Sequence, residues 1–122
     1  MTDPNGHVIL IVDDDEDVRE AVSLLLADEG FEVHGAPHGA AALEKLEQGV
    51  RPCAIILDLM MPVMNGWDFW DRHQASPSLR SIPVIILTAT GLSQGSVGHA
   101  RVLPKPVGAV DLLSAVHTAC AC

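Results

Sequence analysis

Continuous apolar runs alternate with amphipathic stretches along this chain, and turn residues separate the two kinds. The runs His7-Val8-Ile9-Leu10-Ile11-Val12, Cys53-Ala54-Ile55-Ile56-Leu57 and Pro83-Val84-Ile85-Ile86-Leu87 show no apolar–polar alternation. That pattern is what strands buried on both faces of a parallel sheet require. Phe31–His34 and Arg101–Leu103 read as weaker strands.

Between the strands, apolar residues recur at helical spacing. Val18, Val22, Leu25 and Leu26 form one face of a helix, with Asp15 as its N-cap and Gly30 as its C-terminal stop. Leu43, Leu46 and Val50 mark a second helix that stops near Gly49. Gly66 to Gln74 marks a third, whose Trp67 and Trp70 are predicted to cover its core face. Leu113, Val116 and Cys120 mark the last. The stretch Gly91 to Ala100 carries three glycines in ten residues, which predicts a short or irregular helix there. Strand and helix in alternation predict an α/β sandwich with right-handed crossovers, the doubly wound class.

A chain of 122 residues, 48% hydrophobic, suits one compact domain and excludes disorder as the main state. The expectation is a single domain over residues 1–122 with no output domain. A net charge of −9 argues against nucleic acid and against anionic membranes as partners. No apolar run approaches the ~18 residues of a membrane span, and no secretory pattern is visible, so a cytoplasmic protein is expected. Three cysteines give no disulfide framework. Cys53 reads as a small buried hydrophobe, and Cys120 and Cys122 as inert tail thiols. The six histidines lack metal-ligand spacing and are expected on the surface.

Chemistry gathers where the strands end. Val12 leads into Asp13-Asp14-Asp15, Leu57 into Asp58, Leu87 into Thr88, and Leu103 into Pro104-Lys105-Pro106. In a parallel sheet these ends share one edge, where open α/β sheets bind their ligands. Packed carboxylates with no Cys or His nearby call for a hard divalent cation, Mg²⁺ above all. A cation, an ammonium and a hydroxyl around a carboxylate make a phosphoryl-transfer site. Asp58, alone at a central strand end, is the best candidate acceptor.

Val-Asp-Asp-Asp at 12–15, Ile-Ile-Leu-Asp-Leu-Met-Met-Pro at 55–62 with Asn65-Gly66, Leu-Thr-Ala at 87–89 and Lys-Pro at 105–106 resemble the receiver domain of two-component response regulators. The resemblance covers nearly the whole chain. It implies a flavodoxin-like, five-stranded parallel sheet in the order 2-1-3-4-5. It implies that Asp58 accepts a phosphoryl group from a sensor histidine kinase or a histidine phosphotransfer protein. Asp14, Asp58 and the backbone carbonyl of Met60 would ligate Mg²⁺, with Asp13 acting mainly through a metal-bound water. Lys105 would pair with the phosphoryl oxygens, and Thr88 would swing toward them to transmit the switch. A cis Lys105-Pro106 bond is also implied. Asp15 matches a variable position and is left to cap its helix.

Two features depart from the family pattern. The segment from Thr88 to Lys105 is short and glycine-rich, so a truncated or irregular fourth helix is expected. Val102 stands where receivers commonly carry the aromatic partner of the threonine. Two other readings compete. A pseudo-receiver adapter would keep the fold without phosphorylation, yet Asp58 and Lys105 are both present. A Mg²⁺-dependent phosphohydrolase would need a second acid where Met60 stands.

In receivers, the positions of Met60 and Thr90 tune the return to the unphosphorylated state, and neither residue here orients an attacking water well. The resemblance thus predicts a long-lived phosphoaspartate. Decay of the phosphorylated protein, followed by mass spectrometry with Mg²⁺ present, is expected to be slow, and rapid loss would contradict it.

Overall fold

The computed structural model describes residues 7–58, 66–88, 101–104 and 108–120. Within them lie β1 (Val8–Val12), α1 (Glu16–Asp28), β2 (Glu32–Ala36), α2 (Gly39–Glu47), β3 (Ala54–Asp58), α3 (Gly66–Ala75), β4 (Val84–Thr88), β5 (Arg101–Pro104) and α4 (Ala109–Cys120). The strands form one sheet in the order β2-β1-β3-β4-β5, and every pairing is parallel. That is the predicted doubly wound arrangement. The short fourth helix expected over Gly91 to Ala100 lies outside the described residues, as does the Lys105-Pro106 bond.

Alternation along the strands divides the core in two. Leu10, Val12, Ile55, Leu57, Val84 and Ile86 face α2 and α3, meeting Ala42, Leu46 and Phe69. Ile9, Ile11, Ala54, Ile56, Ile85 and Leu87 face α1 and α4, meeting Val22, Leu26, Leu112, Ala115 and Val116. Neighbouring residues of a strand point to opposite faces, so adjacent apolar positions serve both layers. Each large side chain buried this way contributes about 1.5–3 kcal/mol.

The helix ends follow from local chemistry. Asp15 Oδ1 accepts the amides of Asp17 and Val18 at 2.9 and 3.3 Å, satisfying donors that the first turn of α1 leaves open. At its other end the Phe31 amide reaches the Leu26 carbonyl and the Gly30 amide reaches that of Ala27. This Schellman closure needs the left-handed φ of +97° that Gly30 adopts. Gly49, at φ +105°, closes α2 the same way, with Val50 bonded to the Lys45 carbonyl. Val50 therefore lies beyond α2 rather than on its apolar face.

Three expectations are corrected. In α3 it is Phe69, fully buried, that fills the core, while Trp70 packs at its margin and the Trp67 side chain lies outside the described residues. His73 is not on the surface: it is 1% exposed, one turn after Phe69. And Cys53 and Cys120 are not separate thiols but a disulfide, with Cα atoms 5.2 Å apart across 67 residues of sequence. Closing a loop of that length restricts the unfolded chain by an amount worth about 4 kcal/mol.

His73 is held by both ring nitrogens. Nε2 lies 2.9 Å from the Ile82 carbonyl, which only accepts, so Nε2 carries the proton. Nδ1 is left to accept from the Gln74 side-chain amide at 2.9 Å. Desolvation by burial holds the imidazole below its usual value of 6.5, against the opposing pull of the Ile82 bond. A histidine depressed in the folded state lends stability above its unfolded value that is lost as pH falls through the folded one. Urea unfolding is expected to show stability falling below pH 6.5 by up to about 1.4 kcal/mol per pH unit from this residue. His73→Gln is expected to lose that part of the slope.

Candidate functional site

β1 and β3 are neighbours in the sheet, and both end in acid. Val12 pairs with Leu57 in register, so the residues that follow, Asp13 and Asp58, emerge side by side. One ligand oxygen from each of Asp13, Asp14 and Asp58 lies within 4.8 Å of the other two. Asp13 and Asp58 are 1% and 5% exposed, while Asp14 is open to solvent.

The backbone fixes this cluster. Asp13 donates its amide to the Ala36 carbonyl at 3.1 Å, extending the β1–β2 ladder by one rung. Its Oδ1 accepts the Asp15 amide at 2.9 Å. Arg19 reaches back from the first turns of α1 and donates from Nη1 to the Asp13 carbonyl at 2.7 Å. Asp15 serves the helix instead, as predicted for its cap. Arg19 carries no motif that singles it out in the sequence, although it is the one basic residue of α1 and lies two residues beyond the acidic run Asp13–Asp17.

Three carboxylates this close repel one another. At about 4 Å and an effective dielectric near 20, each pair costs about 4 kcal/mol if both are ionised. The positive end of α1, which begins at Glu16, offsets part of this. The donor set itself is all oxygen, which fits a hard divalent cation and not a soft one.

The other candidates are placed by topology. Asp58 pairs with Leu87, and Thr88 with Pro104, so the ends of β3, β4 and β5 step along the same edge as Asp13. Thr88 ends β4 there, though its side chain lies outside the described residues. Met60 and Lys105 also lie outside them, as does the Val102 side chain.

Comparison with known proteins agrees with this geometry. The family model for the response regulator receiver domain matches residues 9–117. A transcriptional regulatory protein, a CpxR homolog of Haemophilus influenzae, is 34% identical over 88% of this chain, which spans 48% of that protein's length. Among solved structures, the signal receiver domain of a signal transduction histidine kinase from Syntrophus aciditrophicus superposes with a TM-score of 0.86. It is 30% identical, over 95% of this chain and 91% of its own. The response regulator protein TrrA of Thermotoga maritima, solved in complex with Mg²⁺ and BeF, has a TM-score of 0.80. It is 27% identical, over 92% of this chain and 97% of its own.

Asp15→Ala removes the cap of α1 but leaves the backbone amide that Asp13 holds. Denaturant unfolding is expected to register a loss of about 1 kcal/mol. Divalent-cation binding, measured by calorimetry on the same variant, is expected to persist.

Proposed function

This chain belongs to the response regulator receiver domain family, and we propose that within it Asp58 is the phosphoacceptor of a Mg²⁺-dependent signalling switch. The observation that carries the proposal is the meeting of Asp13, Asp14 and Asp58 at adjacent strand ends. Asp58 is buried enough to be shielded from bulk water and ends a strand that fixes its position.

In this reading a carboxylate oxygen of Asp58 attacks the phosphorus of a phosphohistidine. The N–P bond breaks, an O–P bond forms, and the imidazole leaves with a proton. Asp14 and Asp58, with the Met60 carbonyl, would hold the cation, and Asp13 would act on it through a bound water. When bound, the cation neutralises the acidic cluster and the incoming phosphoryl oxygens. Lys105 supplies a second positive charge to those oxygens from the end of β5. Thr88 donates its hydroxyl and carries the change toward the rest of the domain.

The donor is a sensor histidine kinase or a histidine phosphotransfer protein, and the output is contact with another protein. Such donors work in the cytoplasm, which this reading assigns to the chain; among the described residues no helix is long and apolar enough to cross a membrane. The protein is a switch rather than an enzyme with turnover of its own. An adapter that is never phosphorylated would have no use for Asp58 and Lys105 together.

Incubation with acetyl phosphate and Mg²⁺ is expected to add one phosphoryl group by intact-mass spectrometry. The adduct is expected to vanish in Asp58→Asn and when the metal is chelated. An adduct that survives either control, or none in a protein that binds Mg²⁺ and meets a cognate phosphohistidine donor, would overturn the proposal.

A further inference from the structure

The Cys53–Cys120 bridge stands apart from the acidic cluster, at the opposite end of β3 from Asp58. Cys53 enters that strand, its amide donating to the Val8 carbonyl at 2.8 Å. Cys120 is the last residue of α4 and is 7% exposed. Cys53 is only partly buried against the core of α1 and α4, so an incoming thiolate reaches the bridge from its side.

The strand that follows Cys53 and the body of the helix that ends in Cys120 are held in place without the bond. β3 is paired on one side with β1 and on the other with β4. Leu112, Ala115 and Val116 seat α4 in the core independently of its last residue. Opening the bridge therefore leaves two thiols facing each other on a scaffold that persists. Such a pair is suited to reversible thiol–disulfide exchange. A bridge that was the main support of its helix would not be.

We propose that Cys53 and Cys120 form a reversible redox couple, a covalent latch that fastens the end of α4 to the sheet when oxidised and frees it when a dithiol reduces it. One thiolate of the dithiol attacks the Cys53 sulfur; the Cys53–Cys120 bond breaks, and Cys120 leaves and takes up a proton. The second thiolate attacks its partner sulfur in the mixed disulfide, and Cys53 leaves and is protonated. Two electrons pass to the pair, and the dithiol ends as a cyclic disulfide. In the reducing compartment assigned above, protein disulfides are transient and regulatory. The exchange itself does not depend on that reading or on phosphorylation of Asp58.

The test uses the full chain with Cys122→Ser, which leaves the pair as the remaining two of three cysteines. It is equilibrated across ratios of reduced to oxidised dithiothreitol, trapped with iodoacetamide and counted by intact mass. The expected count rises from zero to two alkylated thiols and returns to zero when the ratio is reversed. Far-UV circular dichroism is expected to hold, with loss of amide-exchange protection confined to the last turn of α4. Cys53→Ser in the same background is expected to show one alkylated thiol and the exchange pattern of the reduced protein at every ratio. The unsubstituted chain, run in parallel, is expected to differ by the same two thiols. Two free thiols at all ratios, a bond that opens only in denaturant, or reduction that unfolds the domain would each overturn the proposal.

Discussion

A strand buried on both faces has no place for a charged side chain until it ends, and in β1 and β3 the end is marked by an aspartate. Because the two strands run parallel in adjacent positions, their ends coincide, and the carboxylates meet without any loop being shaped to bring them together. The cost is electrostatic. Like charges a few ångströms apart, two of them nearly sealed from water, oppose folding unless a cation joins them. A site of this kind is stabilised by its ligand and strained without it.

The acidic run divides its work residue by residue. Asp13 is locked by backbone on three counts: its amide to Ala36, its carbonyl to Arg19 and its Oδ1 to the amide of Asp15. Asp14 is the exposed member and the one free to meet solvent or a ligand. Asp15 turns away to hold the first amides of α1. Consecutive identical side chains thus take different roles, because strand geometry ends at one and helix geometry begins at the next.

Much of this is legible in the sequence. Unbroken apolar runs identified β1, β3 and β4, and the strand ends identified Asp13, Asp14 and Asp58 as neighbours. The glycine stops at Gly30 and Gly49 were readable because their left-handed dihedral favours one residue type. What escaped had no local signature. In α3, aromatics at positions 67, 69 and 70 leave the buried face undecided, and packing chose Phe69. His73 is buried because a carbonyl nine residues away satisfies its ring. Cys53 and Cys120 pair across the fold, where spacing along the chain says nothing. The glycine-rich segment after Thr88, and Lys105 beyond it, lie outside the described residues.

The two-sided core has a further consequence. His73 belongs to the layer of α2 and α3, whereas the Cys53–Cys120 bridge belongs to the layer of α1 and α4, and the sheet stands between them. Perturbations at well-separated sites that share no partners act additively. The buried His73 sits on one wall of the molecule and the bridge on the other, and the strands that carry the aspartates lie between them. A substitution at His73 and one at Cys53 are thus separated by the whole thickness of the sheet.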